Sequence, residues 1–175
     1  MMLWLAAGQA MAQQDQVLPS SDVLVINRQR LFEESAYGRA ILFTLNQRAG
    51  EIRAENQRLI QDLEAEERDL ALKRSTLPQD EFQTLAEAFD EKVQKIRRDR
   101  DTQERRFDLI VEQTRVDFTN KTAPILEKIL LESGASIILY QTEDSNFMAL
   151  PKVDVTAIAI QRIDAEFSAN GSTPQ

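Results

Sequence analysis

"STLPQDEF", residues 75 to 82, is the one strong helix breaker in the long polar middle of this chain, and its reading decides the fold. Without a turn there, the middle would be a single very long helix; with one, it becomes two antiparallel helices. Pro78 disfavours helical geometry at Leu77. Thr76 followed by Gln79 has the spacing of a capping box for a new helix. The stretch therefore predicts a hairpin tip near 76 to 80, with one helix arriving and another leaving.

On the inbound side, from Tyr37 to about Thr76, the residues fall into heptads. Leu42, Ala49, Asn56, Leu63, Leu70 and Leu77 recur every seven positions, and Leu45, Ile52 and Leu59 form the companion series, which are the a and d positions of a coiled coil. Glu66 and Lys73 interrupt the second series, so the seam thins outward. On the outbound side, from about Pro78 to Ser133, the seam continues through Phe82, Leu85, Phe89 and Ile96 and resumes at Val111, Phe118 and Ile125. Between them Arg97 to Arg106 offers nothing apolar, and the phase has changed on the far side, as a skip in a regular seam produces. Ion pairs at i and i+4, such as Asp101 with Arg105, are expected to support this stretch, each by only about 0.2 to 0.5 kcal/mol. Two helices of about 40 residues predict an arm of roughly 60 Å at 1.5 Å per residue.

The ends differ from the middle. "DVLVI", residues 22 to 26, predicts a strand apolar on both faces, with Val23 and Val25 on one and Leu24 and Ile26 on the other. After Gly134, a natural helix C-cap, "ASIILYQTEDSNFMALP" reads as a strand, a polar turn and a shorter strand. Asp154 is placed to cap a last helix whose apolar side is Val155, Ile158, Ala159, Ile163 and Phe167. Pro124 predicts a kink or break near Thr122. In this order of elements the first and last strands meet only if the long helices go out and come back. The fold class is α+β and mostly helical: a small body from 22–45 and 121–167, an arm from 46–120, and a frayed tail at 168–175.

Composition narrows the function. The 175 residues contain no His and no Cys, which removes imidazole bases, thiol chemistry, disulfides and the usual zinc ligands. No glycine-rich phosphate loop is present. The acidic run Glu64, Glu66, Glu67 and Asp69 lies along one helix, where carboxylates seldom enclose an ion. Neither a catalytic residue, a metal site nor a cofactor is expected, and the chain reads as a non-enzyme. The net charge of −8 is spread along the helices and excludes a basic nucleic-acid footprint.

"MMLWLAAGQAMAQQ" opens with a short apolar run ending in Ala10-Met11-Ala12, the small-x-small pattern accepted by a signal peptidase. The run is too short to span a bilayer. Residues 1–12 are expected to be a signal peptide cut after Ala12, and 13–21 a flexible leader; a tail or an anchor is the alternative.

"VLVINRQRLFEESAYGRA" resembles the opening signature of the Skp, or OmpH-like, periplasmic chaperones, through Asn27, Leu31 with Phe32, Ser35, Gly38 and Arg39. "SGASIILYQTEDSNFMALPKVDVTAIAIQRID" is similar to the family's closing strand pair and helix start, at Asp154, Val155 and Thr156. The resemblance implies a homotrimer of jellyfish architecture. Strands of three chains form a body, with Val23, Leu24, Val25, Ile26, Ile137, Ile138 and Leu139 as candidate contributors. Three arms enclose a cavity that holds unfolded outer-membrane proteins without nucleotide, in the periplasm. The apolar group near the tip, Leu70, Leu72, Leu77, Phe82, Leu85 and Phe89, could pack within the hairpin or touch clients. The best-known member is basic and its positive arms are associated with acidic clients and membrane lipid; the charge of −8 here sets phospholipid or lipopolysaccharide binding in doubt. A structural or adaptor coiled coil of the envelope, binding one folded partner, is the alternative function.

Overall fold

The structure, a computed structural model, describes residues 18 to 169. The expected signal peptide, residues 13–17 of the expected leader and residues 170–175 of the expected tail lie outside the described residues.

Strand β1 (Val23–Asn27) leads into the short helix α1 (Arg28–Glu34), and then into the two long helices α2 (Ala36–Lys73) and α3 (Gln79–Ser133). Strand β2 (Ile137–Gln141), a 3-10 turn (Pro151–Val153) and helix α4 (Thr156–Ala169) complete the described residues. β1 and β2 pair in parallel, from Val23 opposite Ile137 to Asn27 opposite Gln141. Parallel neighbours require a crossover connection. Here the crossover is the hairpin itself, so the arm leaves from and returns to one small sheet.

The core lies where the two ends of the chain meet. Leu24 and Ile26 pack with Leu31, Ile41, Phe118, Ile125, Leu126, Ile129, Val155, Ala159 and Ile163 in one buried cluster. Each fully buried aliphatic side chain contributes about 1.5 to 3 kcal/mol. That burial explains why Pro124 does not break α3. The helix runs unbroken over 55 residues because the turns on both sides of Pro124 carry Phe118, Thr122, Ile125, Leu126 and Ile129 into this core. The Thr122 hydroxyl, itself buried, donates to the Phe118 carbonyl at 2.9 Å.

Three local expectations change. The terminal strand pair has only its first member: after β2 the chain is irregular, and a lone bridge joins Val25 to Asp154. Among the described residues none pairs in a ladder with 146–150, and Met148 and Leu150 are exposed. At the tip, Thr76 does not cap α3, because the helix starts at Gln79 and the capping position falls on Pro78. The Thr76 hydroxyl instead donates to the Lys73 carbonyl at 3.1 Å and closes α2, while Asp80 and Glu81 in the first turn of α3 complement its dipole. Asp101 and Arg105 do not pair; Arg105 donates to the Thr102 hydroxyl at 3.3 Å. Gly134 does cap α3, with φ +68°, a left-handed conformation that costs any residue bearing a Cβ about 1 to 2 kcal/mol.

Candidate functional site

Two turns at the root fix the direction in which the arm departs. Asn27 ends β1 and accepts from the Arg30 backbone N–H at 2.9 Å, capping α1. Ser35, fully buried, then caps α2 by accepting from the Gly38 N–H at 3.1 Å. A Cβ on Gly38 would lie 1.7 Å from the Phe32 carbonyl oxygen, so the corner between α1 and α2 closes only around glycine. On the other side, Asp154 accepts from the Thr156 N–H at 2.8 Å, and the Thr156 hydroxyl accepts from the Asn27 N–H at 2.8 Å. The Asp-x-Thr start of the last helix thus seals the end of β1. Asp164 of α4 accepts from the Ala36 N–H at 2.7 Å, which ties α4 to the arm as well.

Along the arm the burial pattern follows the heptads. Leu42, Leu45, Ala49, Ile52, Asn56, Leu59, Leu63, Glu66, Leu70 and Lys73 form the half-buried stripe of α2, and Leu77 in the tip continues it. Glu66 interrupts the apolar series yet sits on the seam, because its carboxylate pairs with Lys92 of α3 across the arm. Facing it on α3 are Phe82, Ala86, Phe89, Val93 and Ile96, and beyond the polar stretch Phe107, Val111 and Thr114. The small Ala86 takes the seam position, which leaves Leu85, one residue out of register, on the outside.

The six tip residues therefore divide. Leu70, Leu77, Phe82 and Phe89 are half-buried in the hairpin, whereas Leu72 and Leu85 are exposed at 73% and 40%. A second set of exposed apolar side chains, which sequence reasoning missed, lies nearer the root: Phe43, Leu109, Ile110 and Val116. They fall off the heptad stripe, and searching for apolar residues out of phase with the seam would have found them. Val116 also lines a cleft of about 470 Å³ formed with Arg28, Phe32 and Tyr140, where the arm meets the body.

The body residues divide in a similar way. Leu24, Val25 and Ile26 are buried by their own chain. Val25 is buried although it lies on the opposite face from Leu24 and Ile26, and its backbone is bridged to Asp154 at the edge of β1 away from β2. β2 is covered less: Ile138 and Leu139 are half-buried, while Ile137, Tyr140 and, on β1, Val23 are exposed. Because β1 pairs with β2 on one side and is bridged to Asp154, the outer edge of β2 is the open edge of the described sheet.

Among the described residues, no group of three or more acidic residues is placed to hold a metal ion. Glu64, Glu66 and Asp69 each contact a basic side chain instead. Glu34 and Glu55 have carboxyls below the ordinary glutamate range because Arg30 and Arg58 donate hydrogen bonds to them. Both are exposed ion pairs on helix surfaces. No described helix is long and apolar enough to cross a membrane.

What these parts define is a body-and-arm scaffold, with a small parallel sheet at one end and a long helical hairpin presenting scattered apolar side chains at the other. The chain belongs to the family described as outer membrane protein (OmpH-like), whose sequence profile it matches over residues 22–163. That family consists of chaperones rather than enzymes. The fold is similar to that of a crystallised candidate outer membrane chaperone (OmpH-like) from Caulobacter crescentus, with a TM-score of 0.73 and 19% identity over 94% of this chain and 92% of that one. No curated protein matches the sequence. Membership in a family of outer membrane chaperones implies a periplasmic place of action.

Proposed function

We propose that this chain is an ATP-independent periplasmic holdase that binds unfolded outer-membrane proteins between the helical arms of a homotrimer. The observation that carries this reading is the arm: helices of 38 and 55 residues with apolar side chains left exposed along their length. A two-helix layer cannot bury all its sides, and many weak apolar contacts suit a client with no fixed shape. No chemical step is needed, because sequestering the unfolded state opposes aggregation by mass action. Leu72 and Leu85 near the tip, with Phe43, Leu109, Ile110 and Val116 nearer the root, are the proposed client contacts. The trimer is proposed to form through the open edge of β2 and the neighbouring faces of the sheet, where Ile137 and Tyr140 of β2 and Val23 of β1 leave apolar area uncovered. Export is proposed to end with cleavage after Ala12, which an N-terminal Gln13 on the mature chain would verify.

The test is dilution of a denatured β-barrel protein into buffer containing the mature chain. The reading expects light scattering to be suppressed at a few-fold excess of chain, and no complex to form with clients folded beforehand. Unchanged scattering at that excess refutes it. An adaptor would instead select one folded partner and ignore unrelated unfolded barrels.

A further inference from the structure

One stretch of the body is apolar, unpaired and yet fixed. Residues 146–150 belong to no helix or ladder, and Met148 is exposed at 101%, more than any other large apolar side chain among the described residues. Leu150 is exposed as well, at 63%. The run is pinned at both ends. Before it, the Ser145 N–H donates to the Thr142 carbonyl at 3.1 Å, and the Ser145 hydroxyl accepts from the Thr142 N–H at 2.7 Å. After it, the Val153 N–H donates to the Leu150 carbonyl at 3.1 Å, and Asp154 bridges to Val25. A loop held in this way loses little freedom when it is bound, so its apolar tip is a preorganised knob.

A matching hole lies elsewhere on the same body. The cleft of about 470 Å³ at the root is lined by Leu31, Phe32 and Phe118, and by Tyr140 near the end of β2, whose ring lies 6.0 Å from the Arg28 guanidinium. An unbranched thioether side chain suits an irregular apolar gap of this kind. The charged lining has both signs, with Arg28 and Arg115 beside Glu33, Glu112 and Glu143. The apolar run is flanked in the same manner, by Asp144 before it and Lys152 after it. Each flank therefore has an opposite charge to meet.

Topology sets knob and hole apart. The cleft adjoins β2, whose outer edge is open, whereas the run ends at Asp154, on the edge of β1 away from β2. Met148 does not fill the cleft of its own chain, since it stands free in solvent. A patch that fits a different patch on the next copy makes a heterologous contact, and such contacts close into rings where the rotation allows. A patch that fits itself stops at two copies.

We propose that the 146–150 run of one copy seats in the root cleft of the next, with Met148 against Phe32 and Tyr140. Three such contacts close a ring. The occupant of the cleft is a second copy of this chain, and the site is incomplete without it. The inference rests on the homotrimer reading and adds the pair of surfaces that would make it. Val116, on the arm side of the cleft, stays with the client-facing set.

The chain has no cysteine, so Met148→Cys and Tyr140→Cys can be joined by a short bismaleimide without other reactive thiols. The double variant should run as covalent trimers on a denaturing gel, and a mixture of the two single variants should give linked pairs that neither gives alone. Linkage confined within single chains, or linkage in either single variant alone, overturns the proposal. No linkage in chains that native mass spectrometry finds as trimers overturns the seating and leaves the homotrimer standing, whereas chains that stay monomeric overturn both. A second measurement needs no thiol. Met148→Asp, at a fully exposed position, should keep the helicity of the chain and raise the concentration for half-assembly about ten-fold or more, the loss expected when an apolar anchor is removed from each interface. An unchanged concentration overturns the proposal.

Discussion

The ring of Tyr37 lies flat against that of Phe167, with centroids 4.0 Å apart and planes 5° from parallel. Tyr37 also stacks on Phe118 at 5.6 Å, and Phe118 takes Phe32 edge-on at 4.9 Å. Four helices therefore meet around one tyrosine, at the point where the arm leaves the body. Tyr37→Ala removes the centre of this stack and should cost about 3 kcal/mol, while Phe167→Ala, at a half-buried position, should cost about 2 kcal/mol. Chemical denaturation followed by circular dichroism checks both values.

Gly38 should tolerate no side chain. An added methyl group meets the Phe32 carbonyl at 1.7 Å, and the obstacle is backbone that belongs to the preceding helix. Overpacking of this kind costs about 1 to 3 kcal/mol. Gly38→Ala should reach at least the top of that range, read as a lowered denaturation midpoint, whereas Ala36→Ser, at an exposed position nearby, should leave the midpoint unchanged.

The two kinds of apolar tip residue should separate in mutants. Leu70→Ser or Phe89→Ser opens the hairpin seam and should reduce helicity and stability, by about 1 to 3 kcal/mol for a half-buried side chain. Leu72→Ser with Leu85→Ser should leave helicity intact and weaken client capture, seen as a several-fold higher chain concentration for half-suppression of scattering. Loss of helicity in the second variant would place these leucines inside the arm.

Glu34 supplies a test of the electrostatics. The hydrogen bond from Arg30 holds its carboxyl below the ordinary glutamate value of 4.5. A carboxyl lowered on folding adds stability that is present above its ordinary value and lost as pH falls through the lowered one. Titration by carbon-detected magnetic resonance should put the Glu34 midpoint under 4.5, and Arg30→Gln should return it to the ordinary range. The pair is exposed, so overall stability should change little between pH 7 and pH 5.

Much of this molecule could be read from its residues. Pro78 divides the long middle because, unlike Pro124, it has no buried core on both sides to offset the helical bond it would lose, and Gly134 ends α3 because a left-handed cap suits glycine. The heptads gave the seam of α2 in full, since a period set by helix geometry survives any environment. What escaped was set by partners distant in sequence. Glu66 looked like a flaw until Lys92, 26 residues later, met it across the arm. Leu85 looked like a seam residue until the register admitted Ala86 in its place. The bridge between Val25 and Asp154 at the far edge of β1 joins residues 129 positions apart, a contact that no local pattern announces. Phe43 and Val116 were overlooked for a related reason: attention to the periodic stripe passes over the residues that break it.

Native mass spectrometry of the mature chain, mixed with a denatured β-barrel protein and diluted from denaturant, tests the central claim most directly. The account predicts one particle containing three copies of the chain and one client, with the chain alone running as a trimer. A chain that runs as a monomer at micromolar concentration and carries no client would contradict it.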